Sequence, residues 1–291
     1  MKLGLTPSFT NRTASNLGQF VSSIASAGGG GGVVYIAGGD PNNPLDANLL
    51  NKQIMYLDPI ANNGSTTQIN STTDSHNYAL TSVTIENSSN SNQPIAWVVD
   101  GTSLIEVNTL GYANKDDLFA SAGFPTTNFD GDPNDTFALS VWIKTTSNSA
   151  NAAVPQFGMG FTGDKLVDTY VGVGFDTGIP QWVAYRGSQI GWTNSSGSVG
   201  VSDGNWHHVV WAYDSIDNEY STYIDKVKRS SAILGPWTNS SFFKLDYIGK
   251  AFQNSSFVGS IGALRFIFDS SNNKITQSEI DQLYQVDAWM Y

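Results

Sequence analysis

Residues 206–213 read Trp-His-His-Val-Val-Trp-Ala-Tyr, and this stretch decides the fold. Such a run of aromatic and β-branched residues is typical of a buried β-strand. A second strand pattern, Gly-Ser-Ile-Gly-Ala-Leu-Arg-Phe, follows at residues 259–266. Between the two lie Tyr-Ser-Thr-Tyr-Ile-Asp at residues 220–225 and Tyr-Ile-Gly-Lys at residues 247–250. The order and spacing of these segments predict an all-β fold and favour a binding module over an enzyme.

The composition of the 291-residue chain fits many short strands better than it fits a helical bundle. Charged residues make up 13% of the chain, against about a quarter in an average protein. The net charge is −11 and lysine plus arginine total 14, so the chain lacks the clustered cations that neutralise phosphates. We therefore expect no nucleic-acid partner.

Cysteine is absent, which excludes a disulfide scaffold, a thiolate metal site and a cysteine nucleophile. The first residues, Met-Lys-Leu-Gly-Leu-Thr-Pro, contain no apolar core of a secretion signal. No apolar stretch approaches the ~20 residues of a membrane-spanning helix. The sequence predicts no membrane insertion and no secretory address.

The first 50 residues differ from the rest of the chain. Apolar residues at helical spacing predict a short amphipathic helix over residues 13–27; they are Leu17, Phe20, Val21 and Ile24. Five glycines follow at residues 28–32 and are too flexible to join a packed element without an entropic penalty. The segment is either a partly ordered leader or an anchor that orders on a partner, with the glycines as its hinge. We predict a flexible N-terminal arm over residues 1–50 and one β domain over residues 51–291.

Strand patterns become frequent after residue 51. The segment 137–144 alternates between two sets of residues, Phe137, Leu139, Val141 and Ile143 on one face and Ala138, Ser140, Trp142 and Lys144 on the other. Short strands with glycine- and asparagine-rich turns predict a sandwich or a barrel. Strands are predicted at residues 78–86, 95–99, 104–107, 137–144, 169–175, 181–186, 189–192, 206–213, 220–226, 246–248 and 261–268.

One helix is predicted near the end of the chain, over residues 277–285. Thr276 and Glu279 form a capping box, in which each side chain accepts a hydrogen bond from the backbone of the other. Ile275 and Ile280 occupy the two positions of a hydrophobic staple. We expect this helix to dock on the β domain.

Several of these segments resemble the laminin-G-like, concanavalin-A-like jelly-roll family. The resemblance rests on the aromatic strand 137–144, on Trp-His-His-Val at 206–209, on Tyr-Ile-Asp at 223–225 and on Ile-Gly at 248–249. It continues through Phe257, Gly259, Ile261 and Arg265 to the helix start at residues 276–280, and so covers residues 137–285. The resemblance implies a two-sheet antiparallel jelly-roll sandwich with a short C-terminal helix. Members mostly bind carbohydrates or proteins and are often displayed outside cells, although a fold does not fix a function.

The opening Lys-Leu-Gly-Leu at residues 2–5 is similar to the leaders of some structural proteins of tailed phages. This resemblance implies a virion protein, made in the host cytoplasm and displayed on the virion surface as a capsid decoration, a head fibre or a tail appendage. We expect the arm to contact other virion proteins, the jelly roll to bind host surface glycans, and the chain to form a homo-oligomer. A cell-surface or secreted carbohydrate-binding module is the alternative, followed by a glycoside hydrolase.

The acidic residues and histidines argue against an enzyme. Jelly-roll glucanases place acidic side chains at alternating positions of one strand, where they face a cleft together. Glutamate occurs only at positions 86, 106, 219 and 279, and the pair Asp217 and Glu219 lies in a predicted hairpin turn. His207 and His208 are neighbours on a strand, so they face opposite sides and cannot hold one metal ion together.

The loop 130–135, Asp-Gly-Asp-Pro-Asn-Asp, is the one acidic cluster with the character of a metal site. Oxygen ligands at short spacing suit Ca²⁺, and Asp130, Asp132 and Asp135 are the candidate ligands. The loop lacks the length and the terminal glutamate of an EF-hand. A solvated acidic turn is the other interpretation.

Trp182, Tyr185, Arg186 and Trp192 fall within one predicted hairpin. Sugars stack on exposed aromatic faces, while arginine donates hydrogen bonds to hydroxyls or carboxylates. Aromatic residues of sandwiches also fill the core, and we expect Trp182 to be buried. The four residues are the candidate carbohydrate-binding site.

Overall fold

The structure is a computed structural model. It describes residues 39–40, 42–70, 77–89, 92–107, 136–147, 159–162, 169–176, 178–186, 188–192, 200–214, 216–217, 219–233, 247–249, 257–269 and 273–291. Two helices lie in these ranges, α1 (Ala47–Lys52) and α2 (Gln277–Ala288). The strands are β1 (Gln53–Leu57), β2 (Gln68–Asn70), β3 (Asn77–Thr81), β4 (Thr84–Asn87), β5 (Pro94–Asp100), β6 (Leu104–Val107), β7 (Thr136–Lys144), β8 (Met159–Thr162), β9 (Thr169–Asp176), β10 (Ile179–Arg186), β11 (Ser188–Trp192), β12 (Trp206–Asp214), β13 (Glu219–Ile224), β14 (Val227–Ile233), β15 (Tyr247–Ile248) and β16 (Val258–Asp269).

The strands form three antiparallel sheets in two layers. An eight-stranded sheet has the order β14-β13-β12-β7-β16-β5-β4, with β1 also paired to β16. The second layer contains two four-stranded sheets, β15-β6-β3-β2 and β11-β10-β9-β8, which meet where β15 lies beside β8. In this layer β10 lies against β12 and β13 of the large sheet. This two-layer, mostly antiparallel arrangement confirms the predicted jelly-roll sandwich.

The main core lies between the two layers. Phe137, Leu139, Val141 and Ile143 of β7 belong to it, together with Tyr78 and other residues of the second layer. The predicted alternation of β7 is therefore confirmed. The opposite face of the large sheet, which we call the outer face, is also buried, because every residue of β7 from Thr136 to Ile143 is buried.

Helix α2 covers the outer face. Its residues Ile280, Leu283 and Val286 pack in one apolar cluster with Ala138 and Ile267 of the sheet. The predicted cap is present, since the Glu279 amide donates to the Thr276 hydroxyl at 3.2 Å and the Thr276 amide donates to the Glu279 carboxylate at 2.8 Å. The helix continues three residues beyond its predicted end.

The residues just before the predicted domain boundary also pack on the outer face. Leu45 and Leu49 belong to the α2 cluster, and the Asp40 amide donates to the Val286 carbonyl at 2.6 Å. Asp40, Leu45 and Leu49 thus pack on the β domain, and the predicted boundary at residue 50 stays a prediction. The predicted helix over residues 13–27 and the glycine run lie outside the described residues.

The single strand predicted at residues 78–86 is wrong, because the chain divides there between the two layers. Ser82 has φ +57°, a left-handed conformation that interrupts an extended strand. The segment before it forms β3 in the second layer, and the segment after it forms β4 at the edge of the large sheet. The strand predicted to reach residue 226 likewise ends at Ile224, since Asp225 and Lys226 have φ +49° and +73° and form the turn between β13 and β14.

Candidate functional site

The four residues predicted to bind carbohydrate lie on the β10–β11 hairpin, with β11 at the edge of its sheet. Trp182, Tyr185 and Arg186 are on β10, and Trp192 is the last residue of β11. The hairpin brings Arg186 opposite Ser188 and Trp192 opposite Val183. The predicted grouping of these residues on one hairpin agrees with the backbone; a role in binding stays a prediction.

The register divides the four positions into two pairs. Successive strand positions alternate between the faces of a sheet, so Trp182 and Arg186 share one face and Tyr185 shares the other with Val183. Trp192 is the partner of Val183 and falls on the same face as Tyr185. In the pairing of β10 with β11, a β-bulge between Ala184 and Tyr185 sets the spacing between Tyr185 and Trp192. A ligand stacked on one face of this hairpin would therefore meet one pair and not the other.

The base of the hairpin is fixed to the core. Gly178, in the turn between β9 and β10, has φ +77°, and its carbonyl accepts a 2.8 Å hydrogen bond from the Val201 amide. Val201 and Pro180 are fully or largely buried. This attachment holds the start of β10 against the large sheet.

Two buried hydroxyl groups lie on the inner face of the large sheet, in the strands next to β10. Thr222 and Ser230 are register partners of β13 and β14, and both are buried. Thr222 lies between Tyr220 and Ile224, which belong to the inner core. Neither hydroxyl has a hydrogen-bond partner within the described ranges. Buried polar groups without partners are uncommon, and these two hydroxyls lie at the margin of an otherwise apolar core.

Each glutamate whose side chain is described is held by a lysine. Glu86 pairs with Lys144 and accepts a 2.5 Å hydrogen bond from Ser260. Glu219 pairs with Lys228 at 2.8 Å, and Glu279 pairs with Lys52 at 2.7 Å while it caps α2. Although burial acts in the opposite direction, hydrogen bonds from Lys228 and Ser231 lower the pKa of Glu219. A carboxyl that donates a proton in glycoside hydrolysis needs a raised pKa instead.

The hairpin turn between β12 and β13 also uses its acidic residues for structure. Lys274 contacts both Asp214, at 2.9 Å, and Asp217. The Asp214 carboxylate additionally accepts a hydrogen bond from the Ile216 amide within the turn. Asp217 and Glu219, the pair singled out in the sequence, therefore bind different lysines.

The two adjacent histidines face opposite sides, as predicted. His208 is fully buried on the outer face, where its Nε2 lies 2.7 Å from the Ser140 hydroxyl. Burial lowers the pKa of His208 to about 3, so the ring is neutral. His207 lies between two carboxylates, 2.8 Å from Asp225 and 3.1 Å from Asp203. A hydrogen bond to Asp225 raises the pKa of His207, against burial and together with the bond to Asp203.

The acidic loop with Asp130, Asp132 and Asp135 lies outside the described residues, so calcium binding there stays a prediction. Within the part of the chain that the structure describes, no group of three or more acidic or histidine side chains is placed to hold a metal ion. In the same part, no helix has the length and apolarity needed to cross a membrane.

Sequence reasoning missed an aromatic cluster on the outer face. The partly exposed rings of Tyr284 and Tyr291 contact the buried Trp142 beside α2, and the partly exposed Trp206 contacts Tyr291. The alternation of β7 and β12 places Trp142, Trp206 and His208 on this face. The contribution of α2 depends on how the helix docks, which no local pattern specifies.

The chain belongs to the concanavalin A-like lectin/glucanase superfamily, whose model matches residues 119–280. The match includes the hairpin, both histidines and the start of α2. Superfamily membership agrees with the resemblance noted in the sequence and with the two-layer sandwich.

Two of the solved structures that this chain resembles come from an arabinanase and a sialidase. Domain 4 of an extracellular arabinanase from Geobacillus stearothermophilus, in complex with arabinotriose, is 16% identical with a TM-score of 0.52, and the match covers 80% of this chain and 98% of that one. A Trypanosoma rangeli sialidase in complex with sialic acid is 16% identical with a TM-score of 0.52, and the match covers 94% of this chain but 37% of the sialidase. At this identity the likeness shows the fold alone. A search among curated proteins finds no match.

Proposed function

We propose that this chain is a non-enzymatic structural and binding protein of a phage virion, which displays a carbohydrate-binding jelly roll through its N-terminal arm. The observation that carries the binding part is membership of the concanavalin A-like lectin/glucanase superfamily, together with the hairpin that groups two tryptophans, a tyrosine and an arginine. Aromatic faces and arginine are the groups that recognise sugar rings and their polar substituents.

The glutamates support binding without hydrolysis. A glycoside hydrolase of the usual kind needs two carboxyl groups across the scissile bond, one of which is protonated. Glu86, Glu219 and Glu279 each contact a lysine instead. A carboxylate that an ion pair fixes in place suits a structural role.

The packing of residues 39–50 supports display from one side. This segment lies on the outer face against α2, while the β10–β11 hairpin belongs to the layer on the other side of the large sheet. An arm that holds the chain from the outer face leaves the hairpin on the far side, accessible to a host glycan. The virion setting itself rests on the similarity of residues 2–5 to phage leaders.

A glycan array with the full chain tests the binding proposal, with release of reducing sugars measured on every glycan that binds. We expect binding without release. The paired variants Trp182→Ala/Arg186→Ala and Tyr185→Ala/Trp192→Ala remove the two faces of the hairpin separately. One pair should lose binding by about tenfold or more and the other should keep it. Release of sugar would instead support a glycoside hydrolase.

A mass-spectrometric inventory of purified phage particles tests the setting. We expect the chain among the virion proteins, and we expect a chain that lacks residues 1–32 to fold but not to join the particle. Normal incorporation of the shortened chain would place the anchor elsewhere. Recovery of the chain from cell surfaces or culture medium, without particles, would favour a secreted or cell-surface carbohydrate-binding module.

A further inference from the structure

A row of aromatic rings crosses the outer face beside α2. The ring centroids of Trp206 and Tyr291 are 4.4 Å apart, those of Tyr291 and Trp142 are 4.8 Å apart, and those of Trp142 and Tyr284 are 5.1 Å apart. His208 completes the row, 5.2 Å from Trp142 and edge-on to Tyr284 at 5.7 Å. Tyr284 is partly exposed, whereas Trp142 and His208 beneath it are 4% and 0% exposed.

Polar atoms of this row lack partners although they are buried. Trp142 Nε1 and His208 Nδ1 are inaccessible and have no hydrogen-bond partner within the described ranges. Neighbouring rings are satisfied, since the Tyr291 hydroxyl binds the Ala263 amide and the Ile95 carbonyl and the Trp289 indole donates to the Val286 carbonyl. Buried polar groups usually have partners, and these two belong to adjacent rings near the surface, where a polar ligand would complete them.

The two nitrogens offer complementary hydrogen-bonding groups. The Trp142 indole only donates. His208 is neutral and uses Nε2 to contact the Ser140 hydroxyl at 2.7 Å, which leaves Nδ1 to accept or donate according to the direction of that bond. A sugar hydroxyl donates and accepts at once, so its hydrogen-bonding chemistry matches both nitrogens. The Tyr284 ring contacts both the Trp142 ring and the His208 ring and is partly exposed, so a ligand reaches the two buried nitrogens only if this side chain rotates.

A cation borders the row at the same point. Lys226 Nζ lies 4.9 Å from the centroid of the Tyr284 ring, and Lys226 has no ion pair with the described residues. Its turn is fastened to α2 because Gln277 donates to the Lys226 carbonyl at 2.9 Å. The other cation of the row, Lys144 over Trp206, already pairs with Glu86. The neighbouring Asp225 is bound to His207 and to the His208 amide.

We infer that Trp142, His208, Tyr284 and Lys226 form a second sugar-binding site, on the outer face, for a pyranose that bears a carboxylate. Once the Tyr284 side chain has rotated, its ring stacks on the sugar, the two uncovered nitrogens bind sugar hydroxyl groups, and Lys226 pairs with the carboxylate. This inference rests on the proposed carbohydrate binding, but it uses the face opposite to the β10–β11 hairpin.

Calorimetric titration of the full chain tests the site, with a β-1,4-linked glucuronate tetrasaccharide and the corresponding glucose tetrasaccharide as probes. The variant Trp142→Phe keeps an aromatic ring and removes the N–H that has no partner. Trp289→Phe is the matched control, because the Trp289 N–H already donates to the Val286 carbonyl. Lys226→Gln removes the cation; Lys228→Gln is its control in the same hairpin, because Lys228 is paired with Glu219. Thermal melting of each variant monitors folding.

We expect Trp142→Phe to weaken glucuronate binding by about tenfold and Lys226→Gln to weaken it by a similar factor while binding of the glucose probe changes little. Both controls should bind like the unaltered chain, and the Trp142 indole resonance should shift on titration. Unchanged binding in Trp142→Phe and Lys226→Gln would overturn the site. If the hairpin variants then abolish binding, carbohydrate binding stands and only the second site fails. Failure of the unaltered chain to bind any glycan on the array would remove the proposed function as well.

Discussion

The two faces of the large sheet are buried by different chemistry. The inner face presents Phe137, Leu139 and Val141 to the second layer, and its core cluster consists of apolar and aromatic side chains. The outer face, beneath α2, buries a charged residue. Arg265 donates two hydrogen bonds to Asp287, at 2.9 and 2.8 Å.

The outer network extends beyond this ion pair. Arg265 also donates to the Gln53 side chain at 2.6 Å, and its guanidinium stacks 3.5 Å from the Tyr56 ring. The Tyr56 hydroxyl contacts Asp58 and Asp287, so α2, β1 and β16 meet in one buried set of hydrogen bonds. An apolar face tolerates small shifts between its layers, whereas directional bonds fix one position for a helix. Burial of apolar side chains therefore closes the inner face, whereas directional polar contacts orient α2 on the outer face.

The largest expected effect is the loss of Asp287. Asp287→Ala leaves the buried Arg265 without its carboxylate, which should lower the free energy of unfolding by about 3–5 kcal/mol. Chemical denaturation measures the change. Asp281→Ala, at a less buried position of the same helix, should change stability by less than about 0.5 kcal/mol.

The double variant Arg265→Met/Asp287→Leu distinguishes the effect of charge pairing from the effect of packing. Removing both charges leaves no uncompensated ion, so most of the stability should return. If the double variant were as unstable as Asp287→Ala, packing of α2 rather than charge pairing would explain the loss.

The second largest effect is a loss of stability at low pH, caused by His208 on the outer face. Because burial lowers the folded-state pKa of His208 to about 3, below its ordinary value of 6.5, the unfolded chain binds the proton more readily. Stability should therefore fall as the pH drops below 6.5, by about 1.4 kcal/mol per pH unit from this residue. Urea titrations from pH 7 to pH 4 should show a smaller slope in His208→Gln. An unchanged slope would mean that His208 stays hydrated or charged in the fold.

The inner face could be predicted from the sequence, because alternation with a period of two in β7 is a local property of the chain. The same alternation correctly separated His207 from His208. The capping box of α2 was equally readable, since its hydrogen bonds join residues three positions apart.

The outer face could not be predicted in the same way. The hydrogen-bond partners of Arg265, Asp287 and Gln53, lie 22 and 212 positions from it in the sequence. Ser82 has a left-handed φ that separates β3 from β4, and serine has no preference for this conformation. The aromatic residues and the arginine of the candidate hairpin could be recognised from composition, but the β-bulge that sets their spacing depends on strand pairing. Their role in sugar binding stays a prediction.

A smaller effect on stability is expected at Gly262, which lies beside the Tyr291 side chain on the outer face. Strands β5 and β1 follow each other along one edge of β16, and the Tyr291 hydroxyl accepts from the Ala263 amide in the gap at 2.6 Å. A Cβ on Gly262 would lie 2.2 Å from that hydroxyl. Gly262→Ala should therefore cost about 1–3 kcal/mol by overpacking, measured by thermal denaturation.

Gly200→Ala provides the comparison for this substitution. A Cβ on Gly200 would meet its nearest atom at 3.6 Å, and its φ is not in the left-handed range. Its stability should stay within about 0.5 kcal/mol of the unaltered chain. Equal stability of both variants would show that Tyr291 moves aside.

The smallest expected effect comes from His207 and has the opposite sign to that of His208. Carboxylates only accept hydrogen bonds, so the contacts of His207 with Asp203 and Asp225 are both satisfied when the ring carries two N–H groups. The folded-state pKa of His207 is accordingly raised above 6.5, first through the bond to Asp225. The stabilisation is fully present below pH 6.5 and is lost as the pH rises through the folded-state pKa.

Because Asp203 is 51% exposed, solvent and salt weaken its interaction with His207, and the contribution of His207 to the free energy of unfolding should be below about 1 kcal/mol. Melting temperatures between pH 6 and pH 9 should decline slightly in the unaltered chain and less in His207→Gln, and 1 M salt should reduce the difference. An equal decline in both chains would mean that His207 fills space without joining the loop at Asp203 to the turn at Asp225.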